Sequence, residues 1–467
     1  MRHTHIGVCV GLIIGVVVAG YGHALDPGEQ AAYVGGGGYL IQNAALVLTM
    51  DPHRGDGSIL GQLEHADVLI VGDQIAAVEV NLAAPSGVHV IDGRGMIVMP
   101  GFVDTHDHLW QCLIRGCATD GHLFQWLGRC VFPLRGSPIS EDDGYAGTRL
   151  ATAGLINTGV TTVVDWNHDH NVGFARGSLR ALNDSHLRYA FAMVLGTSNG
   201  ADVKAAKAQF IDPNPLARLQ IGARTFPPEI TAEQTAIAKD IGGVKLHFHL
   251  NEHESEPADD PFGSLEAAGA FDLGRDLLFA HVIHVTDAEI AKLAQVGAAV
   301  SHQPLSNMRL ASGIMRYPKM QDAGLRLGLG LDGGTNDTID VFNNMRAATG
   351  LQRATSHDPH ASPTVEEVLR AATMGGAEVL DMASEIGSLT PGKQADVIVI
   401  DMHAVNFAPV LRPVAQLVFN GQTQNVKWVF VAGRVLKEDG KVKGADERQL
   451  VEAAQAATDH IRPFIDP

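Results

Sequence analysis

Ile97-Val98-Met99-Pro100-Gly101-Phe102-Val103-Asp104-Thr105-His106-Asp107-His108 is the stretch from which the fold can be read. A hydrophobic, β-like run ends in two histidines spaced one residue apart. Along a strand, residues i and i+2 point to the same side. Both imidazoles can therefore face one point at the strand's carboxyl end, as a metal pair requires. Alone, His-x-His is a weak signal, because two surface histidines would read the same way. It gains weight from repetition: further histidines and an aspartate recur at the ends of later strand-like runs.

Downstream, strand-like and helix-like text alternates, which points to a parallel sheet with covering helices. The candidate strands are Val98–Thr105, Val160–Asp165, Arg188–Val194, Leu219–Arg224, Val244–His249, Leu277–His281, Ala298–Ser301 and Leu325–Leu331. Helical text such as Asp142–Asn157, Thr231–Ile241 and Asp287–Gln295 lies between them. Eight such strands predict a (β/α)8 TIM barrel, whose active sites gather at the carboxyl ends of the strands. Short β-rich runs before it (Leu40–Val47, Asp67–Val71, Gln74–Val78, Val88–Ile91) and after it (Ala395–Asp401, Val426–Val431) predict one small β-sandwich domain built from both ends. The expected division is a signal peptide over 1–24, β-sandwich over 25–98 and 385–445, barrel over 99–384, and a C-terminal helix or tail over 446–467.

The strand ends supply a ligand set. His106 and His108 close the first strand, His249 the fifth, His281 the sixth, and Asp332 follows the eighth. A borderline-soft divalent ion such as Zn2+ takes imidazole and carboxylate ligands and keeps a position open for water when catalytic. His106, His108, His249 and Asp332 would form such a site. Each histidine alone reads better as a buried structural residue; the four together at the ends of one barrel do not.

With these residues in view, the chain resembles the amidohydrolase superfamily, in the branch of nucleoside and nucleobase deaminases and triazine chlorohydrolases. The resemblance is carried by Pro100–His108 with Leu113-Ile114-Arg115-Gly116, His249-Leu250-Asn251-Glu252 and Ala280-His281. It continues through Ser301-His302-Gln303-Pro304-Leu305-Ser306-Asn307, Leu310-Ala311-Ser312-Gly313, Gly330-Leu331-Asp332-Gly333 and Gly387-Ser388-Leu389. It spans about Tyr39 to Val442.

The resemblance implies one metal ion held by His106, His108, His249 and Asp332, with Zn2+ expected and Fe2+ the alternative. It implies that metal-activated hydroxide attacks an sp2 ring carbon and that Glu252 protonates the ring nitrogen. Asp332 takes the water proton, and His281 polarises the bound water or intermediate. The binuclear branch carries a bridging lysine on strand four; Leu219–Arg224 has none, and Lys245 reads as an ordinary strand residue. In guanine-type deaminases a glutamine at the place of Gln111 binds a ring amide, which points to a purine- or pyrimidine-like base; a loop glutamine bonded to backbone is the competing reading. Trp110, Trp166, His168, His170, His302 and Asn307 are further candidate pocket residues. Relatives often carry serine four residues after the metal aspartate, where this chain has Asn336 followed by Asp337. Related triazine hydrolases vary at this place as they change leaving group, so the departure does not favour deamination; the rest of the resemblance does, over opening of a cyclic amide or cleavage of another C–N or C–Cl bond. A non-catalytic barrel scaffold is the reading from another class, disfavoured because every ligand is present.

Composition bounds the rest. Lys and Arg number 34 against 52 Asp and Glu, giving a net charge of −18. A chain this acidic, with no basic stripe, is a poor nucleic-acid binder, because phosphate backbones require clustered cations. The expected partner is a small heterocyclic substrate, with a homo-oligomer expected by analogy alone. Met1-Arg2 followed by an apolar run over Ile6–Ala19 and small residues before Ala24 reads as a secretory signal. That run is too short for a comfortable membrane span. The expected location is periplasmic or secreted, with an uncleaved anchor or a cytoplasmic protein as alternatives. Cys112, Cys117 and Cys130 remain after processing. A Cys117–Cys130 bridge is one reading, and three half-buried thiols is the one preferred.

Overall fold

Gly101 is where the chain passes from one sheet to another. The computed structural model describes residues 37–168, 170–194, 199–333 and 338–467. The signal expected over 1–24, and Asn336 with Asp337, lie outside the described residues. Before Gly101 run β1 (Gly38–Leu48), β2 (Gln62–Val71), β3 (Gln74–Glu79), β4 (Val88–Asp92) and β5 (Met96–Pro100). Immediately after it begins β6 (Phe102–Asp107), the first barrel strand. A Cβ at Gly101 would lie 2.1 Å from the Thr161 side chain. Only glycine permits this approach.

The barrel continues through β7 (Val160–Asn167), β8 (Arg188–Val194), β9 (Ala217–Ala223), β10 (Lys245–Leu250), β11 (Leu277–His281), β12 (Ala299–His302) and β13 (Arg326–Leu329). Neighbours pair in parallel, and β13 closes on β6 through Leu329 and Asp104. The single expected strand Val98–Thr105 is corrected: its first part belongs to the other sheet and its second to the barrel. Both sheets bury this run from Ile97 to Val103, so an apolar pattern carries no mark of the change. Helices return the chain between strands. The longest, Glu141–Thr158, starts with Ser140 accepting from the Asp143 amide and stops at Gly159, whose φ of 97° only glycine adopts freely.

The second sheet takes its remaining strands from the far end of the chain: β14 (Val397–Asp401), β15 (Val426–Val431), β16 (Arg434–Glu438) and β17 (Lys441–Val442). Its order is β17-β16-β15-β14-β5-β1-β2-β3, with β4 paired to β1. Ile41, Val47, Val68, Val98, Val399 and Phe430 give it a core of its own. Arg188, at the start of β8, reaches across to Asp396 through two hydrogen bonds of 2.9 and 3.1 Å. Both side chains are almost wholly buried.

Over the barrel's carboxyl end lies the segment from Leu109 to Leu134, built of short 3-10, α and π turns. The preference for three free thiols is corrected here. This segment folds back on itself and brings the Cα atoms of Cys117 and Cys130 to 6.1 Å, and the two form a disulfide. Cys112 stays free and buried, its thiol pushed up to about 12 by that burial. No described helix is long and apolar enough to cross a membrane.

Candidate metal centre and active site

The metal-ligand candidates meet at the carboxyl end of the barrel. His106 is the penultimate residue of β6 and His108 follows the strand, His249 lies near the end of β10, and Asp332 follows β13. One ligand atom from each of His106, His108, His249 and Asp332 can be chosen so that all lie within 4.8 Å of one another. Asp332 Oδ1 lies 3.2 Å from His106 Nε2 and 3.3 Å from His108 Nε2. His108 Nε2 and His249 Nε2 are 3.2 Å apart. Asp332 adopts φ 61° and His281 φ 71°, backbone conformations that cost a non-glycine residue on the order of 1–2 kcal/mol. The Asp332 amide donates to the His106 carbonyl at 2.9 Å, which ties the strained turn to β6.

Hydrogen bonds behind the rings decide which nitrogens face inward. His108 Nδ1 lies 2.6 Å from the Trp166 carbonyl, which can only accept, so Nδ1 carries the proton and Nε2 a lone pair. His247, two residues before His249, meets Gln220 Oε1 through Nδ1 at 3.0 Å. Its Nε2 is then an acceptor, 3.0 Å from His106 Nδ1. His106 must donate there and point its own Nε2 lone pair into the site. That Nε2 is buried and forms no hydrogen bond. Burial also holds His106 neutral, at about 3, although the Asp332 charge opposes it. Two imidazole lone pairs converging beside a carboxylate repel one another unless a cation lies among them. The donor set of three nitrogens and one carboxylate oxygen fits a borderline-soft divalent ion.

Glu252, His281 and Asp332 form a second, overlapping group. His281 Nε2 stands 3.3 Å from Glu252 Oε2 and 3.9 Å from Asp332 Oδ2. Its Nδ1 meets the Asn307 amide, with Oδ1 at 3.2 Å. The Ser312 hydroxyl donates to Glu252 Oε1 at 3.2 Å. Burial raises the Glu252 carboxyl well above its ordinary range, and the charges of Asp332 and Glu256 add to the effect. Burial would raise Asp332 as well, but His281, His106 and His108 hold it well below that range. Neighbouring carboxyls are thus pushed apart, one kept protonated and one ionised, which is the arrangement of an acid and a base.

A cavity of about 370 Å³ opens onto both groups. Gln111, Trp166 and His168 line it. Gln111 packs against Gly333, where a Cβ would collide with its amide oxygen. Trp110, His302 and Asn307 do not reach the cavity wall and lie beneath the site. Trp110 is fully buried and gives its indole proton to His168 Nδ1. Both nitrogens of His302 are buried without a hydrogen bond, and Asn307 holds His281. His170 is buried against the Trp110 ring and pushed down to about 3 by that burial. The wall also includes Arg135, Arg224, Phe226 and Glu256, none of them anticipated. His247, Gln220 and Ser312 were likewise given no role. Strand alternation was the available signal for His247, because it lies on the same side of β10 as His249.

Comparison with known proteins agrees with this geometry. The family model described as "Amidohydrolase family" matches residues 97–436. A 5-methylthioadenosine/S-adenosylhomocysteine deaminase of Syntrophobacter fumaroxidans is 32% identical over 442 residues, 91% of this chain and 98% of that protein. A 5'-deoxyadenosine deaminase of Methanococcoides burtonii is 34% identical, covering 90% and 98%. Among solved structures, an adenosine deaminase from Xanthomonas campestris with bound zinc superposes with a TM-score of 0.82 at 27% identity, covering 91% of this chain and 98% of that one. A mutant atrazine chlorohydrolase from Arthrobacter aurescens, complexed with zinc and atraton, gives 0.80 at 25%, covering 90% and 100%.

Proposed function

The chain belongs to the amidohydrolase family, and we propose that it is a metal-dependent deaminase releasing ammonia from an adenosine-like N-heterocycle. The observation that carries this reading is the placement of Glu252, His281 and Asp332 beside three converging imidazoles in one cavity. Zinc is the proposed ion, supported by the three-nitrogen, one-carboxylate donor set and by the zinc in the structural neighbours. When bound, such an ion supplies a Lewis acid that lowers the pKa of water towards ~7.

The side chains then divide the proton traffic. Asp332, ionised and with Oδ2 turned towards His281, accepts the proton of the attacking water. Glu252, protonated on arrival, delivers its proton to the ring nitrogen beside the carbon under attack, so anionic charge does not build up there. His281 Nε2 stands between the two carboxyls, and with the Asn307 amide turned so that its nitrogen, 3.4 Å away, donates to Nδ1, the Nε2 proton is placed to donate to the oxygen that adds to the ring. Trp166 and Gln111 hold the ring plane against the site. Departure of the amine requires a second proton, which Asp332 now carries.

Replacing Glu252 with Gln keeps size and the Ser312 contact but removes the acid. Metal content should stay at one ion per chain while ammonia release falls by about 10²–10⁴-fold. Unchanged turnover in that variant refutes the assignment. The second reading is hydrolysis of a C–Cl bond on a triazine, favoured by the likeness to atrazine chlorohydrolase. Scoring ammonia against chloride across aminated nucleosides, free bases and chlorotriazines separates the two. Export is proposed on the sequence of residues 1–24, with the Cys117–Cys130 bond as support, since disulfides persist in oxidising compartments.

A further inference from the structure

His168 faces the cavity as a hydrogen-bond donor whose direction is fixed by Trp110. We infer that it selects substrates with an acceptor, a pyridine-type nitrogen or an oxo group, on the ring edge opposite Glu252. The inference rests on the deaminase reading and adds the recognition that reading lacks.

Trp110 is fully buried, and indole nitrogen is a donor only. Its proton goes to His168 Nδ1 at 3.1 Å. An imidazole nitrogen that accepts carries no proton, so His168 is neutral and its single N–H is on Nε2, at the opposite edge of the ring. The ring itself is held on several sides. Its centroid lies 4.5 Å from that of His108, 5.2 Å from Trp166 edge-on and 5.8 Å from His170 in a stack. Rotation to present the other nitrogen would strand the buried indole proton. His168 also lines the cavity shared by Glu252 and Asp332.

The two walls therefore make different demands. On the β10 side the Glu252 carboxyl offers a proton to the ring nitrogen next to the scissile carbon. On the β7 side His168 offers an N–H that it cannot exchange for a lone pair. A heterocycle with acceptors on both edges satisfies both walls; one with C–H facing His168 leaves the donor of a buried residue unmatched. Trp110 is on this view a positioning residue, acting through His168 without touching substrate.

The test uses the metal-loaded enzyme, adenosine, and the analogues in which N3 or N7 of the purine is replaced by C–H. Wild type should discriminate against one of the two analogues by about 10–100-fold in kcat/KM. In His168→Phe that ratio should collapse to within about twofold, because the group that reads the acceptor is gone. In Trp110→Phe the ratio should fall part of the way, since the ring can then take either tautomer. A purely structural His168 would slow all three substrates alike and leave the ratio unchanged, which overturns the inference. Ring 15N NMR supplies a readout independent of turnover: a pyridine-like Nδ1 and a protonated Nε2 support the assignment, and the reverse pattern overturns it. Failure of wild type to release ammonia from any aminated heterocycle overturns the deaminase reading and this inference with it. An unchanged ratio in an active His168→Phe enzyme removes the inference alone.

Discussion

Replacing His247 with phenylalanine should loosen the metal without touching a ligand. His247 is fully buried between Gln220 and His106, and it accepts the Nδ1 proton of His106 at 3.0 Å. Burial pushes its own pKa well below the ordinary range, so it is available as that acceptor. Phenylalanine fills nearly the same volume and preserves the β10 backbone, including the carbonyl that takes the Trp166 indole proton. What disappears is two hydrogen bonds, the one His247 gives to Gln220 Oε1 and the one it accepts from His106, and the second loss leaves His106 Nδ1–H buried and unmatched at about 1–3 kcal/mol. If His106 moves its proton to Nε2 instead, the lone pair that faces the metal is lost. Either route weakens binding by roughly 5–150-fold, in line with the 10–100-fold typical for residues that orient metal ligands. Competition against a calibrated chelator, with zinc as the probe, reads this directly. Gln220→Leu should move affinity in the same direction by less, since His247 would keep its place but lose the partner that fixes its tautomer. A zinc Kd for His247→Phe within twofold of wild type, in a protein with an unchanged circular-dichroism spectrum, refutes the relay.

Two further expectations concern stability. Asp396→Asn removes the charge opposite Arg188 in a pair nearly sealed from solvent, and should cost about 3–5 kcal/mol in urea unfolding; a loss below ~1 kcal/mol would show that water reaches the guanidinium. Lys437 is buried, gives its ammonium protons to the Asn157 and Thr423 carbonyls, and is pushed down to about 8 by burial and by Lys427. A depressed lysine binds its proton more weakly folded than unfolded, so the folded state is disfavoured below pH 8 and gains as pH rises towards 10.5. Wild type should gain about 3 kcal/mol relative to Lys437→Met over that window, and parallel pH profiles for the two proteins would contradict it.

The barrel was legible because parallel strands buried on both faces write themselves as apolar runs, and β8 and β11 fall where Arg188–Val194 and Leu277–His281 predict them. The histidines could be read because a ligand must sit at a strand end, and His106, His108 and His249 do. The change of sheet at Gly101 was not legible: the apolar run of Met96–Pro100 continues past the glycine into Phe102 and Val103, and only the approach of Thr161 betrays the glycine. The segment from Leu109 to Leu134 resisted reading for another reason. It has no period, so nothing local announces that Cys117 and Cys130 approach each other, or that Trp110 turns away from the cavity to hold His168. Roles that depend on a partner far along the chain, such as Ser312 for Glu252, are set by tertiary contact and leave no mark in the neighbouring residues.

The pairing of β14 with β5 joins Val397 to Pro100, so one edge of β5 waits for residues made almost 300 positions later. At ribosomal speeds of about 5–20 residues per second, that edge stays unsatisfied for roughly 15–60 s. A bare, apolar strand exposed for so long is a template for pairing with another nascent chain. Yield on overexpression should therefore be governed by how well that interval is chaperoned, more than by how stable the finished enzyme is.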